Sequence, residues 1–153
     1  MKNTVDKLLG WVLVILMTAM TLDVLWGVVT RYVAGRQAPW SEELARYLLI
    51  WIGLLGSAYA AGQNMHLAID LFPNTLNPGS RRRLNLFIQG LIALFALTVM
   101  VFGGFRLMYI THVLHQLSPA LRIPISWVYA VIPLSGLLTM WYAYYFAKNL
   151  TKV

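Results

Sequence analysis

Four apolar runs, each long enough to cross a lipid bilayer, leave this chain few ways to fold. The first, residues 8–29, is about 22 residues long and carries a single charge, Asp23. At 1.5 Å per residue it spans roughly 30 Å, the thickness of bilayer hydrocarbon. The others cover residues 44–62, 84–105 and about 125–147. In lipid every backbone N–H and C=O must find its partner within the protein, so such runs become helices. Composition agrees: 59% of residues are hydrophobic and 11% charged, where a soluble domain carries about 25% charged. That argues against a soluble monomer. Six Trp, eight Tyr and six Phe argue against a disordered chain. The absence of cysteine removes disulfides, thiolate metal sites and cysteine nucleophiles.

The predicted fold is a single all-α membrane domain, 1–153, with helices at about 8–30, 41–62, 84–105 and 124–147. Lys2 and Lys7 precede the first run as they would a signal peptide, but a signal core is only about 7–15 residues long, so this run reads as a retained helix. The second helix has a start signal. Pro39 and Trp40 lead to Ser41 as N-cap, and Glu42 and Glu43 favour the positive end of the helix dipole. Arg46 is spaced to pair with either acid. In the fourth helix Pro133 predicts a kink. The apolar residues Met65, Leu67, Ile69, Leu71 and Phe72 predict an interfacial segment between the second and third helices.

The net charge of +7 comes from residues that flank the runs. It is therefore read as membrane topology and not as a nucleic-acid surface. Four spans put both termini on one side. That side holds Lys2, Lys7, Arg81, Arg82, Arg83, Lys148 and Lys152; the other holds Arg31, Arg36, Arg46, Arg106 and Arg122. The bias predicts cytoplasmic termini, with the loops 31–40 and 106–123 facing outward.

Asp23 is the one ionisable residue well inside a span, where an acid is a functional candidate by default. The bland reading is a structural one, with Asp23 capping an interhelical network or pairing with Arg31 or Arg106. His112 and His115 are spaced for a shared metal, but no third ligand lies near them in sequence. All three histidines, His66 included, fall in predicted connections and not inside the bundle as haem ligands would. No metal is expected. His66 and Asp70, four residues apart, read as a structural pair. On the second helix Gly53, Ser57 and Ala61 recur every four residues with Gly56 and Ala60 beside them, a spacing that lets helices approach closely in lipid. No nucleotide loop, catalytic serine elbow or zinc-helix motif occurs.

At the level of motifs the chain resembles a known family. Arg31-Tyr32, the run from Ala38 through Pro39, Trp40, Ser41, Glu42, Glu43 and Arg46 to Tyr47, the run from Trp51 through Gly53 and Gly56 to Ser57, and then His66 and Asp70 occur in order. Ser118-Pro119-Ala120-Leu121, Ile123-Pro124, Trp127-Val128-Tyr129, Pro133 and Gly136 follow. Together they are similar to the small, DctQ-like membrane subunit of tripartite ATP-independent periplasmic (TRAP) transporters, over nearly the whole chain. The resemblance implies a non-catalytic subunit of the bacterial inner membrane. Its partners would be a large DctM-like elevator subunit and a DctP-like periplasmic substrate-binding protein. The transport would be sodium-coupled import of an organic acid: a C4-dicarboxylate, a sialic acid, or another sugar or keto acid.

On that resemblance Arg31, Arg36, Glu42, Glu43 and Arg46 are candidates for periplasmic docking. Trp51, Gly53, Gly56, Ser57 and Ala60 are candidates for the large-subunit interface. Asp23, His66, Asp70 and Arg106 are structural polar residues. No cofactor is implied, while the many aromatic and small residues leave room for a structural phospholipid between subunits. Two other readings compete: a self-sufficient four-helix drug exporter using Asp23, and a haem-free membrane anchor of another complex.

Overall fold

The computed structural model describes residues 2–36, 38–63 and 78–150. Its elements are α1 (Lys2–Val33), α2 (Pro39–Gly62), α3 (Pro78–Phe95), a π-helical segment (Ala96–Gly103), α4 (Gly104–Val113), α5 (Ile125–Tyr129) and α6 (Val131–Leu150). Four stretches are long and apolar enough to cross a membrane: Lys2–Val33, Pro39–Gly62, Arg82–Val113 and Ile125–Lys148. The third joins α3, the π segment and α4; the fourth joins α5 and α6. The expected interfacial segment, with His66 and Asp70, lies outside the described residues.

The helices outrun their apolar runs. α2 begins at Pro39, two places before the expected start, because proline lacks an N–H and has a preset φ, which suits a first helical position. Ser41 is therefore not the N-cap. Ala38 takes that place, with no side-chain cap bond. The third span ends at Val113 and not at Phe105. Its last turns carry Arg106, Tyr109 and His112, all exposed, and such side chains reach the membrane–water boundary from the edge of a span. His112 thus stands on a helix and not in a connection. The kink expected of Pro133 is a break at Ala130 between α5 and α6. Pro133 offers no N–H to the carbonyl of Tyr129, and the next bond, Leu134 N–H to Ala130, is long at 3.4 Å.

The spans stand in a row. α1 packs on α2, α2 on α6, and α6 on α3 and the π segment; neither α1 nor α2 packs on the third span among the described residues. The core sits where three of them meet, around Leu9, Leu55, Val131 and Tyr142. The Tyr142 hydroxyl donates to the Asp6 carboxylate and so ties α6 to α1. Three glycines set how closely the helices approach; a Cβ on Gly104 would stand 2.7 Å from the Pro133 ring. A Cβ on Gly62 would stand 2.5 Å from the Tyr142 ring, and one on Gly136 would stand 2.7 Å from the Met100 Cβ. Met100 belongs to the π segment, whose wider turn carries it against α6.

Candidate functional site

The ends of the row differ. One carries the start of α1, the end of α2, the start of α3 and the end of α6. The other, the hairpin end, carries the two tight connections: the bend from α1 to α2, and the loop from α4 to α5.

The second loop is built by backbone bonds. Ser118 N–H donates to the Ile123 carbonyl at 2.9 Å, Arg122 N–H to Ser118 at 3.0 Å, and Ile125 N–H to Gln116 at 3.0 Å. Leu117 and Pro124 pair as an isolated antiparallel bridge. Reversing the chain so tightly places two residues in the left-handed region, His115 at φ 47° and Arg122 at φ 53°. The turn leaves the N–H groups of Ala120 and Leu121 pointing the same way, a concave arrangement that suits an anion. The anion is Glu43. One of its carboxylate oxygens accepts from Ala120 N–H at 2.8 Å and from Leu121 N–H at 3.0 Å. The other accepts the Tyr47 hydroxyl at 2.6 Å. Ser118, itself buried, lies beside the same carboxylate. Glu43 is 9% exposed. It is a brace from α2 to the far loop.

Glu42, next in sequence, points outward. It pairs with Arg46 at 3.2 Å with both side chains about two-thirds exposed, and a pair in that setting contributes little to stability. Of the two partners open to Arg46, it takes the exposed one. Glu42, Glu43 and Arg46 nonetheless line one cleft of about 470 Å³, together with Pro39, Tyr47 and Pro119. The structure thus brings three of the five docking candidates together. Arg31 closes α1 and Arg36 lies in the bend after it; both are exposed at the hairpin end and neither lines the cleft. Arg106 is exposed on α4.

Asp23 is only 7% exposed, and neither carboxylate oxygen has a hydrogen-bond partner. Pairing with Arg31 or Arg106 is not observed. The link across the helices uses the backbone instead: the Ser41 hydroxyl, fully buried, donates to the Asp23 carbonyl at 3.1 Å. That joins α1 to the start of α2. No group of three potential metal ligands exists among the described residues.

The second candidate surface is on α2. Gly53 and Ser57 are exposed, Gly56 and Ala60 half-buried. A Cβ added at Gly53 or Gly56 would meet nothing within 4 Å, so the chain does not fill its own small-residue stripe. Trp51 is different: it packs against the chain's own core. The residues that sequence reasoning passed over are the partners of Glu43. Their signal was the Ser118-Pro119-Ala120-Leu121 motif, quoted for resemblance but not linked to α2.

Comparison with known proteins gives this geometry a context. Residues 20–152 match the family described as Tripartite ATP-independent periplasmic transporters, DctQ component. The ectoine TRAP transporter small permease protein TeaB of Halomonas elongata is 31% identical over 152 residues, 97% of this chain and 77% of that protein. The sialic acid TRAP transporter permease protein SiaT of Haemophilus influenzae is 26% identical over 89% of this chain, which spans only 22% of SiaT. The sialic acid TRAP transporter small permease protein SiaQ of Vibrio cholerae is 34% identical over 74 residues, 48% of this chain and 43% of that protein. A multi-pass protein of the bacterial inner membrane and a transport component, not an enzyme, the chain belongs to the DctQ family of small TRAP transporter permease subunits.

Proposed function

We propose that this chain is the fixed subunit of a sodium-coupled importer of an organic acid. It braces a large elevator subunit and offers a docking rim to a periplasmic substrate-binding protein. The positive-inside bias supports placing the hairpin end in the periplasm. The observation that carries the reading is the bond set of Glu43, which holds the loop of residues 114–124 in one shape. A rigid rim loses little conformational freedom when a partner docks. Arg31, Arg36 and the Glu42–Arg46 pair supply exposed charge there, which acts mostly on encounter rate and register. The open stripe of Gly53, Gly56, Ser57 and Ala60 supports close approach by a helix of the large subunit.

The test has two parts. Mild-detergent capture of the tagged chain from native membranes, read by mass spectrometry, is expected to recover a large polytopic partner in near-equal amount. Recovery of a homodimer alone overturns the subunit reading and returns attention to Asp23 and efflux. Arg31→Glu and Arg36→Glu are then expected to slow uptake several-fold with the membrane complex intact; normal uptake in both variants removes the docking role.

A further inference from the structure

Between α3 and α6, at the end of the row away from the hairpin, lies a groove of about 650 Å³. Leu86, Gly90 and Ala93 line one wall; Leu137, Trp141 and Tyr144 line the other. From Leu86 to Ala93 it runs about 10 Å along the helix, against a hydrocarbon depth of roughly 15 Å in one leaflet. Its mouth is basic. Arg82 and Arg83 precede Leu86 by four and three residues, so both fall within a turn of it on the same side of α3, and both are exposed. Neither helix contains a single Asp or Glu. Of the chain's five acids, Asp6 is bonded to Tyr142, Asp23, Glu42 and Glu43 stand toward the hairpin end, and Asp70 lies outside the described residues. Arg82 and Arg83 thus have no acidic side chain beside them on α3 or α6.

We propose that this groove seats one acyl chain of an anionic glycerophospholipid, with Arg82 and Arg83 on its phosphate. The apolar wall and the cationic mouth match the two halves of such a molecule. Gln89, also lining the groove, is a donor set among apolar neighbours. A neutral lipid would satisfy the wall and leave the mouth without its anion. The site is independent of how the hairpin end docks.

The experiment uses the membrane complex of this chain with its large subunit, purified in mild detergent and exposed to either a phosphatidylglycerol or a phosphatidylcholine of the same acyl chains. Native mass spectrometry counts the lipids retained. One phosphatidylglycerol per chain is expected to persist, favoured by roughly fivefold for each arginine, the factor that about 1 kcal/mol per basic residue corresponds to. The double variant Arg82→Gln with Arg83→Gln is expected to lose that preference. Gly90→Leu is expected to lose retention of both lipids. A Cβ there meets no atom within 4 Å, so the side chain has open space to enter, and an unchanged melting temperature in lipid-free detergent checks that the helices are undisturbed. Equal retention of the two lipids, retention undiminished in Gly90→Leu, or no retained lipid because the large subunit fills the groove would each overturn the proposal.

Discussion

Among the described residues Glu43 and Asp23 are the two buried carboxylates, and they meet opposite conditions. Three donors reach Glu43; none reaches the Asp23 carboxylate. Glu43→Ala is expected to free the Ala120 and Leu121 amides, read as faster hydrogen exchange across residues 114–124. Glu42→Ala should leave that exchange unchanged, since an exposed i,i+4 pair is worth only about 0.3–0.5 kcal/mol. Equal exchange in both variants would end the bracing role. Asp23→Asn exchanges a carboxyl group that makes no hydrogen bond for an amide of the same shape. Uptake is expected to stay within about twofold of the parent, the scale of a substitution that breaks no named interaction; a tenfold fall would assign the carboxyl group a task. The sequence makes the importance of Asp23 legible, because a lone acid in an apolar run is conspicuous. It does not disclose the role of Glu43, whose partners lie 77 and 78 residues away.

Among the elements, the four spans follow from run length alone, and Pro133 announces the broken fourth helix. Their ends are less legible, because a helix continues for as long as its backbone bonds close, through Lys2 to Lys7 at one extreme and Arg106 to His112 at another. The π segment leaves no trace in its sequence. Residues 96–103 contain no proline and would be equally content as α-helix; the contact with Gly136 carries the information. Gly136→Leu is accordingly expected to cost about 1–3 kcal/mol, as overpacking of a tight contact does. The measurement is the melting temperature of this chain purified by itself in mild detergent. Gly53→Leu is the matched control for folding, because the space beside Gly53 is open.

For the molecule as a whole, that control has a second reading. If the stripe on α2 meets the large subunit, Gly53→Leu and Gly56→Leu should keep the chain in the membrane and lose the large subunit from the capture experiment. Retention of the partner would place its contact on another face. Apolar composition states how much surface must be covered but not by what, so the row arrangement is invisible in the sequence. Its consequence is geometric. Helices set about 8–10 Å apart in a line of four make a wall roughly 24–30 Å wide, with two broad sides and no lumen. On the function proposed above, such a wall lengthens the stationary bank along which a neighbouring body slides, and spreads the reaction to that stroke over more lipid.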